Sequence, residues 1–210
     1  MKARDWQRYL EAERKSHGKT VFTVTELANV SGSALHVLNV ELNRLCKQGI
    51  IVRYARGQYG LPEAVTPEQL VPFLDGHAYI TGAFALHRHN LITQMPVEIT
   101  CFTNRRHNRS RVRTTPLGRF TFVCVQSPVY ASPSDGVLAG PAQALCDYVF
   151  LMRRRGIAPI SQVTFRGLHD LDTKAIQEQI NRYPKSVQQT LAQLLRQMPM
   201  KQSGSYQLFG

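Results

Sequence analysis

Apolar residues recur at helical spacing near the start of the chain. Good helix formers occupy residues 3–15, and Trp6, Tyr9 and Leu10 fall on one side of that segment. This spacing predicts a first helix, with Gly18 at its end because glycine commonly terminates helices.

Two further helices are predicted, separated by a turn at Gly32. Thr25 can cap a brief second helix, and Ser33 can cap a third helix from about residue 34 to 48. Gly49 follows in the position that usually ends a helix. The inward seam of the third helix is predicted from leucines spaced three and four residues apart: Leu35, Leu38, Leu42 and Leu45.

Two β-prone runs follow the third helix and predict a hairpin. They occupy residues 50–54 and 58–61 and are joined through Gly57. Helix, short helix, glycine turn, longer helix and hairpin is the order of a winged helix-turn-helix, here residues 1–62. In such a domain the leucine seam packs inward, and the opposite face of the third helix is free to enter a major groove.

The free face of the predicted third helix carries residues suited to DNA. In chain order these are His36, Asn39, Val40, Asn43 and Lys47. We expect His36, Asn39 and Asn43 to read base edges, since an asparagine amide can form a bidentate contact with adenine. Phosphate contacts are expected from one hydroxyl and from nearby cations: Ser33, Arg44, Lys47, Arg53 and Arg56. Gln58 and the two hairpin arginines could reach the backbone or an adjacent minor groove.

A proline-rich stretch marks the end of this domain. Prolines recur between residues 62 and 72 and predict a linker with a short helix over residues 63–78. A second domain is predicted from 79 to 210. It opens with a helix over 83–89 that ends at Asn90, a residue able to adopt the left-handed conformation in place of glycine.

The middle of the second domain predicts a small, mainly antiparallel sheet. Three strand-like runs alternate with turns there: 97–103, 110–115 and 119–126. A helix is expected to begin at Pro141, a residue that suits the first helical position, and two more helices at 172–182 and 185–198. The predicted fold class is therefore α+β, with a winged helix-turn-helix followed by a C-terminal α+β domain.

Charge then points to a polyanion as the partner. The chain has 210 residues, with 26 Lys and Arg against 14 Asp and Glu, and a net charge of +12. No acid lies between Glu41 and Glu63, a window with four cations, or between Glu98 and Asp135. The second window forms a second basic surface: Arg105, Arg106, Arg109, Arg111, Arg113 and Arg119. DNA, RNA and a partner protein all remain open as its ligand.

Hydropathy and cysteine usage favour a cytoplasmic protein. No run of about 18 apolar residues is present, and the first twenty residues are rich in charge, so neither a membrane span nor a signal peptide is expected. The cysteines form no CxxC pair and occupy apolar surroundings: Cys46, Cys101, Cys124 and Cys146. They are interpreted as buried thiols in a reducing compartment.

Residue patterns do not favour an enzyme, a cofactor or a metal. His87 and His89 point to different sides of a helix, and no HExxH motif or Cys/His cluster accompanies them. The motifs GxSxG, GxxxxGK[ST] and GxGxxG are also absent. A metal-dependent nuclease would need clustered carboxylates, whereas Glu98 stands nearly alone in the basic region.

An RNA-binding module is a further alternative. It would need exposed aromatic residues on the predicted sheet for base stacking. The aromatic residues in that region are Phe102, Phe120, Phe122 and Tyr130. On an alternating sheet they are interpreted as core residues.

Three segments, together with the winged module, resemble a known family. They are Tyr79-Ile80-Thr81-Gly82-Ala83-Phe84-Ala85-Leu86-His87-Arg88-His89-Asn90-Leu91, Glu98-Ile99-Thr100, and Gly140-Pro141-Ala142-Gln143-Ala144-Leu145-Cys146-Asp147. In these the chain resembles the AbiEi family, antitoxins of type IV toxin–antitoxin systems, over about residues 5–155. It departs from the family in Ala142 and Gln143, where Glu and Arg are usual, and in Asn90, where Gly is common.

The resemblance implies a transcriptional autorepressor that binds inverted repeats in its own promoter, as a monomer or a homodimer. It also implies a C-terminal domain that counteracts a nucleotidyltransferase-like toxin without forming a stable complex with it. A stand-alone winged-helix regulator without a toxin is the alternative, followed by the nuclease and the RNA-binding protein.

Overall fold

The computed structural model describes residues 1–107 and 110–197 of the chain. The chain forms two compact units. Unit 1 comprises Met1–Gly76 and Arg113–Arg119, and unit 2 comprises His77–Val112 and Phe120–Gly210. Helices and two small sheets make up the units, which confirms the predicted α+β fold class.

The helices and strands up to Gly76 are α1 (Ala3–His17), β1 (Val21–Thr23), α2 (Val24–Ser31), α3 (Leu35–Lys47), β2 (Val52–Ala55), β3 (Gln58–Gly60) and α4 (Pro67–Leu74). Those that follow are β4 (Tyr79–Thr81), α5 (Gly82–Arg88), β5 (Glu98–Thr103), β6 (Val112–Thr115), β7 (Gly118–Cys124), α6 (Pro141–Arg154), α7 (Thr173–Ile180) and α8 (Lys185–Gln197). Two short 3₁₀ turns precede α7, at Pro159–Ser161 and Leu168–Asp170.

The apolar faces of α1, α2 and α3 meet in the core of unit 1. The buried cluster there contains Trp6, Leu10, Phe22, Leu27, Leu38, Leu42, Leu45, Ile51, Tyr59 and Leu61. Burying one leucine side chain contributes about 2 kcal/mol, so the seam of α3 fixes which face of that helix is left to solvent.

The cap of α2 corrects the sequence prediction. The capping residue is Thr23, not Thr25. Its hydroxyl accepts a hydrogen bond from the Glu26 amide (3.2 Å), and the Glu26 carboxylate accepts one from the Thr23 amide (2.8 Å). Because this reciprocal pair satisfies two backbone donors, the helix begins earlier than expected, at Val24.

The start of α3 also differs from the prediction. The helix begins at Leu35 after Ala34, and no side chain caps it. Ser33 was predicted as the cap, but its amide donates a hydrogen bond to Ser31 Oγ (3.2 Å). Leu35 was expected in the seam and is 55% exposed, because it lies one turn before Leu38, where the buried seam starts.

The strands of the sheet in unit 1, including its hairpin, are antiparallel. The strand order is β1, β3, β2, and the short strand β1 was not predicted. Arg56 and Gly57 form the turn between β2 and β3, and Gly57 has φ +75°, a left-handed value that favours glycine. The Gly57 carbonyl accepts a hydrogen bond from the Val24 amide (2.9 Å), which ties the hairpin tip to the start of α2.

Gly60, at the end of β3, lies where other backbone and side chains approach closely. A Cβ at this position would come within 2.8 Å of Val65 Cγ2, and nearer still to the Thr20 carbonyl oxygen. Real Cβ atoms do not approach other heavy atoms so closely, so this pairing of β1 and β3 requires glycine.

The segment 63–78, predicted as a linker with a short helix, contains α4. Leu70, Val71 and Leu74 of α4 are buried. The guanidinium group of Arg113, from the second segment of unit 1, donates a hydrogen bond to the Leu74 carbonyl.

The second sheet is mixed. Its strand order is β4, β5, β7, β6, and β4 pairs antiparallel with β5. At the other edge of β5 the Val125 amide, just past β7, donates a hydrogen bond to the Thr103 carbonyl (2.9 Å). Strands β5 and β7 therefore end side by side and run in the same direction, whereas β6 and β7 form a hairpin.

Helix α6 runs through the core of unit 2. It begins at Pro141 as predicted, and all but one of the residues from Ala142 to Met152 are buried. Asn90, which follows α5, has φ +59°, the left-handed conformation expected of it. Helices α7 and α8 occupy the two later stretches predicted to be helical; residue 198, the predicted end of the last one, lies outside the described residues.

Candidate functional site

Helix α3 presents a polar face to solvent. Leu38, Leu42 and Leu45 turn inward, and on the other side the predicted DNA-contacting residues are exposed: His36, Asn39, Asn43, Arg44 and Lys47. These positions follow one another at intervals that keep them on adjoining parts of one helix surface. The helix therefore brings amide, imidazole and cationic groups together on one face.

The one acidic residue in the sequence of α3 does not lie on this face. Glu41 accepts a hydrogen bond from the indole nitrogen of Trp6 (2.8 Å), and it is half-buried. Trp6 itself is buried in the core of unit 1. Glu41 therefore turns toward α1 and away from the polar face.

The hairpin adds two exposed cations. Arg53 in β2 and Arg56 at the turn are both exposed. Cys46, near the end of α3, lies close enough to Arg53 to be affected by its charge, although burial has the larger effect and raises the pKa of the Cys46 thiol. The base of the hairpin therefore lies beside the C-terminal end of α3, where Lys47 stands.

Ser33 and Gln58 differ from the other predicted contact residues, because both are half-buried. The Oε1 atom of Gln58 is buried, and within the described part of the chain it has no hydrogen-bond partner.

Two valines of α3 are also exposed. Val37 is 50% exposed and Val40 is 71% exposed. Val40 was placed on the free face by its spacing, but Val37 was not singled out. The signal that could have identified it is its position three residues before Val40, since side chains at this spacing are neighbours on a helix.

The second basic surface is divided between the two units. Arg105, Arg106 and Arg111 belong to unit 2 and are exposed. Arg113 and Arg119 belong to unit 1, where Arg113 is half-buried against α4 and Arg119 is exposed. Arg109 lies outside the described residues. Five of the six predicted arginines are therefore described, three in unit 2 and two in unit 1.

Aromatic residues of the unit 2 sheet are buried. Phe102, Phe120 and Phe122 are at most 1% exposed, and the half-buried Tyr130 donates a hydrogen bond from its hydroxyl to the His77 carbonyl (2.6 Å). These rings belong to the core, as expected, and present no stacking platform for bases.

Salt dependence can test the arginines of unit 2. If Arg105, Arg106 and Arg111 bind phosphates, replacing all three with Gln is expected to lower the slope of log affinity against log salt by about 0.9 for each phosphate that is no longer neutralised. Fluorescence anisotropy with a labelled duplex at several salt concentrations measures that slope.

The matched control replaces Arg153, Arg154 and Arg155 with Gln. These arginines are exposed at the C-terminal end of α6, where cations favour the helix dipole. The control removes the same charge and is expected to keep the parent slope. If the first variant kept the salt slope of the parent, Arg105, Arg106 and Arg111 would face solvent or a protein partner instead of phosphates.

A buried carboxyl in unit 2 is a feature that sequence reasoning missed. Asp147, in the middle of α6, is fully buried. Its carboxyl accepts hydrogen bonds from the hydroxyls of Thr81 (2.6 Å), Tyr183 (2.7 Å) and Tyr79 (3.2 Å). Burial raises the pKa of Asp147 to about 7, although the three hydroxyl donors act in the opposite direction.

This buried cluster joins segments that are distant in the sequence. Tyr79 and Thr81 belong to β4, Asp147 to α6, and Tyr183 follows α7. Burial also raises the pKa of both tyrosines, so their hydroxyls stay protonated and can donate. The cluster is enclosed in the core, and its contacts indicate a structural role.

Within residues 1–107 and 110–197, no group of three His, Cys, Asp or Glu side chains is placed so that it could bind a metal ion. His89 instead lies 2.7 Å from the Ala139 carbonyl through Nε2. The cysteines are free thiols, and burial raises the pKa of Cys146 to about 12.

Among the described helices, none is both long enough and apolar enough to cross a lipid bilayer.

Comparison of the sequence with protein-family models and with curated proteins gives no match.

Proposed function

We propose that the protein is a transcriptional repressor that binds double-stranded DNA through a winged helix-turn-helix in unit 1. The observation that carries this proposal is the face of α3. It combines exposed His36, Asn39 and Asn43 with cations and has its one acid turned toward α1. Amides suit base edges and cations suit phosphates, so this face has the chemistry of a major-groove surface.

Element order supports the same proposal. A turn of three residues, 32–34, separates α2 from α3, and Gly32 adopts the left-handed conformation there (φ +63°). A hairpin follows that pairs with β1 in a three-stranded sheet, and it exposes Arg53 near the end of α3 and Arg56 at its tip. In the proposed mode of binding, α3 enters the major groove and the hairpin contacts the neighbouring backbone or minor groove.

In this proposal the protein represses transcription by occupying the promoter. A protein bound across a promoter excludes the polymerase without any catalytic step. The proposed operator is an inverted repeat, which two copies of the protein could bind as a homodimer or as adjacent monomers. The proposed location is the cytoplasm.

Asn43→Ala tests the base-reading role. On a duplex selected by the protein from a random pool, the variant is expected to lose on the order of 1 to 3 kcal/mol of binding free energy and to tolerate more bases at one position. Competition binding against the selected and the unselected duplexes measures both effects.

The matched control is Asn181→Ala, which removes an exposed asparagine after α7 in unit 2. It is expected to bind like the parent. An equal loss by Asn43→Ala on selected and unselected duplexes would contradict base reading, and failure of the parent to bind any duplex would contradict the proposed function itself.

The antitoxin activity is the part of the proposal that rests on the family resemblance. In this view unit 2 counteracts a nucleotidyltransferase-like toxin without a stable complex. Co-expression with such a protein encoded in an adjacent reading frame is the direct test, with bacterial growth as the readout. Restored growth supports the antitoxin, whereas persistent toxicity together with DNA binding favours the stand-alone regulator.

A further inference from the structure

Two valines form an exposed apolar pair on α3, beside the polar residues of that helix. Val37 and Val40 are 50% and 71% exposed, and they are neighbours because they lie three residues apart. Asn43 and Arg44 follow Val40 by three and four residues, and the half-buried Glu41 follows Val37 by four, so an amide, a cation and one carboxylate border the pair.

Nothing in the described part of unit 1 covers this pair. The core cluster takes Leu38, Leu42 and Leu45 from α3 and leaves both valines out. Exposed apolar groups are costly to hydrate. A β-branched side chain on a helix has few accessible rotamers, so little conformational entropy is lost when it contacts a partner.

The charges around the pair decide which partner fits. A second copy of this face would bring Arg44 and Lys47 against identical cations, and like charges oppose association. Glu41 accepts a hydrogen bond from Trp6 of α1, so its carboxylate is directed toward α1 and not toward the cations of a second copy. The partner that fits is a polyanion with an apolar group between its charges. Its charges would pair with the cations, and its apolar group would contact the valines.

We propose that Val37 and Val40 read the 5-methyl group of thymine in the major groove. This inference rests on the proposed DNA-binding function and specifies one element of its sequence preference. Thymine carries the only methyl group among the four bases on the major-groove edge, and a valine packed on it excludes water from both. In this arrangement the asparagines beside the pair form hydrogen bonds with the edges of adjoining bases, as an amide does with adenine.

Removing the methyl group from DNA tests the proposal. Duplexes are selected by the full-length protein from a random pool, and each thymine is replaced in turn by deoxyuridine, which differs only in that methyl group. At one or two positions, affinity is expected to fall about fourfold, the factor that corresponds to about 0.8 kcal/mol for one buried methyl group.

A variant assigns the effect to the valine. Val40→Ala is expected to bind the thymine and deoxyuridine duplexes with nearly equal affinity at one of those positions. The matched control is Val97→Ala, which truncates a valine that is 90% exposed in unit 2 and is expected to keep the parent discrimination.

Each other outcome has a distinct meaning. Binding that is indifferent to deoxyuridine at every position overturns the thymine inference and leaves the proposed function standing. Equal discrimination by Val40→Ala and the parent overturns the role of the valine. A gain in affinity when 5-methylcytosine replaces cytosine, without any loss on deoxyuridine, would identify methylated cytosine as the group that is read. Absence of binding to every duplex overturns the proposed function.

Discussion

Replacing Asp147 with Asn is expected to reduce the pH dependence of stability in unit 2 between about pH 4 and pH 7. The carboxyl is fully buried, and its pKa of about 7 is well above its ordinary value of 3.8. The folded chain therefore holds the proton more tightly than the unfolded chain does, which links stability to pH.

The sign of the effect follows from that difference. Below about pH 4 the carboxyl is protonated in both states, and its contribution to stability is complete. As the pH rises toward 7 the unfolded chain ionises first, so the free energy of unfolding falls by about 1.4 kcal/mol per pH unit, or on the order of 4 kcal/mol in all. Above about pH 7 the contribution is lost.

Asparagine keeps the shape of the side chain and does not titrate in this range. Urea unfolding, followed by pulsed hydrogen exchange in peptides from α6, measures the stability of unit 2 at each pH. Asp135→Asn, which removes an exposed carboxyl, is the matched control and is expected to follow the parent curve. A parent-like pH dependence in Asp147→Asn would mean that the carboxyl is already ionised at low pH.

The second large effect is expected from Gly60→Ala, which should destabilise unit 1 by about 3 kcal/mol. The added methyl group would overlap the Thr20 carbonyl oxygen and Val65, so β1 and β3 could not keep their pairing. Trp6, the sole tryptophan of the chain, lies in the core of the same unit. Its fluorescence in urea therefore reports the destabilisation.

Gly76→Ala is the matched control for that substitution. A Cβ at Gly76 would have only an ordinary contact of 3.7 Å with the Pro72 carbonyl, so the midpoint of unfolding should stay close to that of the parent. Similar midpoints for both variants would show that the strands shift to accommodate the methyl group.

The helices of unit 1 could be predicted from the sequence because periodic leucines signal burial directly. Leu38, Leu42 and Leu45 are buried as expected. Leu35 continues the same spacing, but it is the first residue of α3, and it is 55% exposed. Periodicity tells which side of a helix is apolar, and it does not tell how far the core extends along it.

Short strands and caps were harder to predict. β1 and β4 have three residues each, too few for an alternating pattern, and they form because a partner strand from elsewhere in the chain pairs with them. The choice between Thr23 and Thr25 as the cap depended on Glu26, whose carboxylate returns to the Thr23 amide. Such reciprocal contacts leave only a weak trace in the sequence.

Candidate contact residues on α3 follow from helical spacing, so their common face could be predicted. The buried cluster around Asp147 could not, since its partners come from positions 68, 66 and 36 residues away. Likewise, the six arginines near the sheet are close in sequence, whereas the fold divides those it describes between the two units.

That division means that the chain passes from one unit to the other three times, after Gly76, Val112 and Arg119. A fragment that ends at Gly76 lacks residues 113–119 and with them the hydrogen bond from Arg113 to Leu74. Unit 1 is therefore not contained in one continuous stretch of the chain. A single recombination breakpoint could not transfer it intact to another gene, and a reporter fusion made from the first 76 residues would carry an incomplete unit.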